Sequence, residues 1–170
     1  MKARYGLLLL LITSMMLSCS KEKADILIGL NEPIHHDDFE YSVTGYTIER
    51  QIGDGPSAIV ADGNFYIVTF LVRNNARRVN HSWDNTIAYL VDDAGKTYEN
   101  NTNAQVNLNK SDPFGYREKY TTTYQSSDST RLIFDLPKNT IKPCLMVRGE
   151  TLMGDFFDGG KFKRTKIRLY

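Results

Sequence analysis

Asn64-Phe-Tyr-Ile-Val-Thr-Phe-Leu-Val-Arg73, closed by Asn74-Asn75, decides the fold. It is the most hydrophobic run outside the extreme N-terminus and is rich in β-branched and aromatic residues. A turn signal stands at each end, Asp62-Gly63 before it and Asn74-Asn75 after it. Strand alternation puts Tyr66, Val68, Phe70 and Val72 on one face and Phe65, Ile67, Thr69 and Leu71 on the other. Both faces are largely apolar, whereas an antiparallel strand open to water on one side would show one wet face. This strand is therefore expected to be central and covered, the spine of a β-sandwich.

Outward from the spine, short apolar runs alternate with turn signals. Asp25 to Leu30 reads as a first short strand, ended by Asn31-Glu-Pro33. Phe39 to Ile48 reads as the next. Its inward pattern changes parity between Val43 and Tyr46, and Gly45 at the switch is where a β-bulge would restore the phase. Gln51 to Asn64, with Gly53, Gly55, Pro56 and Gly63, reads as loop. Trp83 to Val91 reads as one strand, turning at Asp92-Asp-Ala-Gly95 into Lys96-Thr-Tyr98, with Gly95 available for positive φ. Arg131 to Leu136, Leu145 to Val147 and Thr165 to Leu169 supply three more. Asn100 to Ser129 is polar and reads as a long loop, with Thr121 to Tyr124 as a possible strand inside it. No useful segment after the N-terminus shows helical periodicity. Many short strands between turns make an all-β antiparallel sandwich the expected fold class.

The N-terminus is a separate object. Lys2 and Arg4 precede a Leu-rich run over Gly6 to Ile12, followed by small and polar residues. That is the plan of a secretory signal, too short for a good membrane span. Met16-Leu17-Ser18-Cys19 resembles the lipobox of bacterial lipoproteins, with Met16 in the place three before the cysteine where Leu is usual. The resemblance implies cleavage before Cys19 and acylation of that residue. Each buried methylene then contributes about 0.8 kcal/mol of anchoring. Residues 1–18 are thus expected to be a signal peptide, 19–24 a lipidated tether and 25–170 one domain. Ser20, rather than Asp, after the cysteine points to the outer membrane.

Removing residues 1–18 takes away Lys2 and Arg4 and no acid, which turns a net charge of +1 into −1. A near-neutral chain does not suit general nucleic-acid binding. With Cys19 lipidated, Cys144 is the remaining cysteine, so no intramolecular disulfide is expected and stability must come from packing. Cys144 reads as a small buried apolar residue.

Three pieces carry a family resemblance: the strand ending in Asn74; Leu90, Asp92, Gly95 and Tyr98 of the hairpin; and Phe134, Asp135 and Pro137. They resemble the signature of an uncharacterised immunoglobulin-like domain found in many bacterial lipoproteins, kin to the small secreted mycobacterial antigens of the MPT type. The match spans Phe39 to Val147. It departs where the family has a Pro-Gly turn and this chain has Gln125-Ser-Ser-Asp-Ser129. The resemblance implies an Ig-like sandwich attached to the envelope and implies no activity.

Residues with chemistry are sparse. His35-His36-Asp37-Asp38 offers ligand types suited to zinc or copper. Adjacent residues on an extended chain face opposite ways, however, and His81 would have to converge from elsewhere. Asp155-Phe-Phe-Asp158-Gly-Gly lacks the dense oxygen ligands of a calcium loop and reads as a turn. No nucleophile elbow, Cys–His signature or phosphate-cradling glycine loop is present. The expectation is a non-enzymatic binding or accessory module without a cofactor, a metal-handling protein being the alternative class. Its partners would be the membrane, through the lipid, and an envelope protein or anionic glycan. The basic segment Lys161 to Arg168 adds one candidate contact. With Thr165, Ile167 and Leu169 inward, Arg164, Lys166 and Arg168 form an outer row, either protecting a sheet edge or meeting an anionic partner.

The anchor is directly testable. Cys19→Ala should release the protein from the membrane fraction or leave it unprocessed. Unchanged processing and retention of that variant would refute the assignment.

Overall fold

The computed structural model describes residues 24–109, 117–149 and 159–170. Eleven strands and two helices run in the order β1 (Ile26–Ile28), β2 (Ile34–His36), β3 (Phe39–Ile52), β4 (Ile59–Asn74), β5 (His81–Asp84), β6 (Ala88–Val91), β7 (Thr97–Tyr98), α1 (Thr102–Asn109), β8 (Lys119–Thr122), β9 (Ser126–Leu136), β10 (Cys144–Val147), α2 (Gly159–Phe162) and β11 (Thr165–Arg168). One sheet has the order β2-β3-β4-β9, its partner β1-β11-β10-β6-β7, and β5 and β8 form a separate pair. The β1–β11 pairing is parallel and all others are antiparallel.

The spine strand is β4, paired along its length with β3 and β9. Its inward residues Tyr66, Val68, Phe70 and Val72 join Leu90, Leu132, Phe134, Leu145 and Ile167 in the core between the sheets. Its outward residues Phe65 and Ile67 form a second, smaller core with Ile52, Ala61, Ile133 and Ala104. Ala104 belongs to α1, which therefore caps the outer face of the sheet. The long loop expected over Asn100 to Ser129 is corrected accordingly. Its first part is helical, and β8 occupies Lys119–Thr122. The helix escapes a periodicity search because its sequence, Thr-Asn-Ala-Gln-Val-Asn-Leu-Asn, carries few apolar residues. It is started instead by Asn101, whose Oδ1 accepts from the Ala104 amide at 3.0 Å, an N-cap.

Other boundaries shift for identifiable reasons. The loop expected over Gln51 to Asn64 is mostly strand: β3 reaches Ile52, β4 starts at Ile59, and a short 3-10 turn joins them. The bulge at Gly45 is present, and a second register shift lies between Glu49 and Gln51. The single strand expected from Trp83 to Val91 is broken. Asp84 Oδ1 accepts from the Thr86 amide at 2.7 Å and from Thr86 Oγ1 at 2.6 Å, turning the chain so that β5 leaves the sheet to pair with β8. The basic strand β11 is not an edge strand. It lies between β1 and β10, so protection of a sheet edge does not explain its charges.

The motif residues tie backbone to backbone. Buried Asn74 donates from Nδ2 to the carbonyls of Val79 (2.7 Å) and Thr122 (3.0 Å), and its Oδ1 accepts from the Ala76 amide (2.9 Å). Asp92 Oδ1 accepts from the amides of Ala94 and Lys96, and Tyr98 Oη donates to Asp92 Oδ2 at 2.9 Å, closing a hairpin in which Gly95 has φ 79°. Asp135 accepts from the amides of Asp62 and Gly63 at 2.8 and 3.0 Å. A Cβ on Gly63 would lie 1.8 Å from the Leu136 carbonyl oxygen, so only glycine permits this approach.

One pole of the sandwich gathers the β2–β3 turn, the β4–β5 connection, the β8–β9 turn and the start of β11. The Asn75 amide donates to Asp38 O (2.8 Å), Asn74 joins the β4–β5 connection to β8, and Phe162 stacks on His36 with ring centroids 4.5 Å apart. Ala24 is held there as well, its carbonyl accepting from Arg164 Nη1 at 2.6 Å.

Phe134 is fully buried on the inward face of β9. Phe134→Ala should cost about 3–5 kcal/mol in chemical denaturation. A midpoint and slope equal to wild type would show that this face is not the core.

Candidate functional site

A cleft of about 620 Å³ opens at this pole, between the β2–β3 turn, β5 and the start of the segment after β10. Its size suits a small ligand or a peptide side chain. Rings from three strands line it: Phe39 and Tyr41 of β3, His81 and Trp83 of β5, and His36 of β2. Sequence neighbours alternate in direction, so His36 turns into the protein while His35 faces solvent, its Nδ1 3.6 Å from Glu40 Oε1.

The rings brace one another. His81 stacks on Phe39 at 4.2 Å, and its Nε2 lies 3.0 Å from Tyr41 Oη. Trp83 stacks on Tyr120 at 4.1 Å, and its Nε1–H donates to Thr122 Oγ1 at 2.9 Å. The rim is polar. Arg148 forms a two-pronged pair with Glu99 at 2.9 and 2.6 Å, also donates to Thr86 O at 2.8 Å, and lies over the Tyr89 ring. Asp37, Ser82, Asp84 and Lys119 complete the mouth.

Burial disfavours the charged forms of two groups inside the cleft. Burial pushes the Tyr41 hydroxyl well above its ordinary pKa, with the nearby Asp37 carboxylate adding to the effect. Burial lowers the pKa of His81, and His36 lowers it further by charge repulsion. The two imidazoles are thus electrostatic neighbours. Among the described residues, no group of three or more His, Cys, Asp or Glu is placed to hold a metal ion.

The other candidates fall elsewhere. Cys19 and Asp155 to Asp158 lie outside the described residues. Thr165 and Ile167 of β11 are buried, as is Leu169 just beyond it, which leaves Arg164, Lys166 and Arg168 as a row on the other face. It is not a free row, however. Lys166 Nζ lies 2.6 Å from Asp25 Oδ2, Arg164 holds the Ala24 carbonyl, and Arg168 is the exposed member. The first two cations fasten β1 onto the sheet. Cys144 is buried, and burial raises its thiol pKa against the opposing pull of Lys166 and Arg168. It has the character of an inert packing residue.

No family model and no curated protein matches the chain. Solved structures do. The chain is similar to the yjhA protein of Bacillus subtilis (12% identity, TM-score 0.57, 84% of this chain and 98% of that one). It is similar to an uncharacterised β-sandwich protein of Clostridium difficile (10%, 0.52, 89% and 98%) and to MPT63, a secreted protein of Mycobacterium tuberculosis (12%, 0.54, 76% and 94%). The chain shares the β-sandwich fold of MPT63. The resemblance read from Asn74, the Asp92 hairpin and Phe134-Asp135 is thus borne out as fold, and at these identities the likeness speaks of fold alone.

The cleft predicts a pH dependence. His81 has a folded pKa below its ordinary value of 6.5, so below that pH the unfolded chain binds more protons than the folded one. The stabilisation is fully present above about pH 6.5 and is lost as pH falls through the folded pKa. Melting temperature should drop on acidification from pH 7.5 to 5, and His81→Gln should flatten that drop. Parallel curves for both proteins would refute this role for His81.

Proposed function

We propose that this protein is a non-enzymatic binding module tethered to the bacterial envelope through acylated Cys19, with the cleft between β2, β3 and β5 as its ligand site. The carrying observation is the cleft's composition: braced aromatic rings inside and polar groups already satisfied at the rim. His81 Nε2 is engaged by Tyr41, Asp84 Oδ1 by Thr86, and Arg148 by Glu99. Such a site holds a ligand by shape, ring contact and a few polar bonds. Catalysis asks for an activated nucleophile beside its base, and the contact of that kind in the cleft lining, Tyr41 Oη with His81 Nε2, has a hydroxyl that burial holds in its protonated form. Metal handling finds little support, because His36 and His81 lack a third ligand among the described residues.

The ligand suited to this lining is an envelope glycan bearing an anionic group, or a side chain of an envelope protein. Sugar or aromatic rings would lie against Phe39 and His81, and anionic groups near Lys119. Arg168, exposed on β11, is a second contact for the same partner, with Arg164 and Lys166 holding the strand beneath it. The lipobox-like segment supports delivery to the envelope, and Ser20 supports the outer membrane. The described residues contain no helix long and apolar enough to cross a membrane. The similarity to a secreted protein is consistent with an exported location.

Ser82 is exposed on β5 and lines the cleft. A photo-crosslinker at Ser82 of the full chain in intact envelopes should capture a discrete adduct that the same group at Ile141, on the opposite pole, does not. Ser82→Trp should weaken binding of that captured partner at least tenfold while leaving the melting temperature unchanged. Equal capture at both positions, or full binding by Ser82→Trp, would overturn the cleft as the site.

A further inference from the structure

We propose that the pole carrying the cleft docks on an anionic lipid surface, through Arg77, Arg78 and Val79 of the β4–β5 connection, Tyr124 of the β8–β9 turn, and Lys161 and Lys163 beside β11. The proposal rests on the anchored-module reading and adds an orientation to it, with the cleft facing the bilayer.

Covalent reach comes first. Ala24 follows Cys19 by five residues, which span at most about 18 Å in any conformation. Ala24 is fixed at the start of β11 by three contacts on adjoining groups: its carbonyl to Arg164, the Ile26 amide to Arg164 O (2.9 Å), and Asp25 to Lys166. An acylated Cys19 therefore holds this pole, rather than the opposite one, within about 18 Å of the acyl chains.

The second observation is what this pole displays. Arg77, Arg78, Lys161 and Lys163 are exposed. The same pole has two exposed apolar or amphipathic residues, Val79 at 59% and Tyr124 at 54%. Asn74 ties the Val79 carbonyl to that of Thr122, which brings the two tips together. Cations around an aliphatic and a tyrosyl tip suit a bilayer interface: the cations meet anionic headgroups and the tyrosine ring sits at headgroup level. Acids are present too. Asp37 and Asp38 are exposed on the β2–β3 turn, Glu118 stands beside Lys119, and Asp128 lies 3.9 Å from Arg117. Among all these groups, six cations (Arg77, Arg78, Arg117, Lys119, Lys161 and Lys163) stand against four acids (Asp37, Asp38, Glu118 and Asp128). The opposite pole also exposes apolar or amphipathic residues, Val60, Ile141 and Tyr170, but the tether does not hold it near the membrane.

The test places an environment-sensitive fluorophore at Val79→Cys or at Ile141→Cys in the full chain, bound to phosphatidylcholine vesicles with or without phosphatidylglycerol. The Val79 position should shift to the blue and be quenched by brominated lipid when phosphatidylglycerol is present, and the Ile141 position should not. Combined Arg77→Gln, Arg78→Gln, Lys161→Gln and Lys163→Gln should remove the difference, weakening vesicle affinity by about fivefold per cation. Added salt should act in the same direction. Equal signals from the two poles, or a difference that survives the four substitutions in a protein with wild-type melting temperature, would overturn the docking. Mass analysis of the N-terminal peptide reports acylation of Cys19 separately. The comparison of poles therefore decides the docking whatever the state of the anchor.

Discussion

A strand that is apolar on both faces must be covered on both faces. That requirement on β4 organises the molecule. The inward face is met by the second sheet, whose Leu90, Leu145 and Ile167 pack over Val68, Phe70 and the neighbouring β9 residues. The outward face is met by α1, which sets Ala104 over Phe65 and Ile133. Burial of apolar area stabilises at roughly 25 cal/mol per Å², so leaving Phe65 and Ile67 in water would forfeit several kcal/mol. The helix supplies the cover with Ala104 and the half-buried Leu108, and its polar side chains make other contacts. Gln105 donates to Asn85 Oδ1 at 2.9 Å and accepts from Asn100 Nδ2 at 2.7 Å, linking the helix to the sharp turn after β5.

This explains what could be read from the sequence and what could not. Strand positions follow from alternation, so β3, β4, β9, β10 and β11 were legible, as were the bulge at Gly45 and the phase of Thr165, Ile167 and Leu169. The helix was not, because its stability comes from Asn101 capping and tertiary contact rather than from an apolar stripe. Its necessity was nonetheless implicit in the two-sided character of β4. The break between β5 and β6 was hidden for a similar reason: a side-chain contact of Asp84 overrides the strand-like run from Trp83 to Val91. The edge-protection reading of β11 fails at the level of topology. Its charges suggested an edge, but strand order is non-local, and the parallel addition of β1 carries no local signal.

The cleft was legible in parts only. His36 and His81 were visible as candidates, and the opposition of His35 to His36 followed from strand geometry. Their convergence depends on β5 leaving the sheet to pair with β8, and the same departure carries Trp83 onto Tyr120. Burial then lowers the pKa of His81 and raises that of Tyr41, favouring the neutral form of both. The site thus follows from a long-range pairing that no window of sequence contains.

The residues that specify this fold and those that line the cleft are different residues. Asn74, Asp92, Gly95, Tyr98, Phe134, Asp135 and Pro137 are absent from the cleft lining, and each that makes a polar contact closes a turn or joins two segments of backbone. The lining comes from β2, the start of β3, β5 and the residues after β10, where side chains can change without disturbing those ties. Two proteins can therefore share the sandwich while carrying unrelated sites. A likeness of 10–16% to solved structures speaks of the fold and says nothing of the lining. For this chain, the chemistry of Phe39, Tyr41, His81 and Trp83 in the cleft is the better guide to what the proposed site would hold.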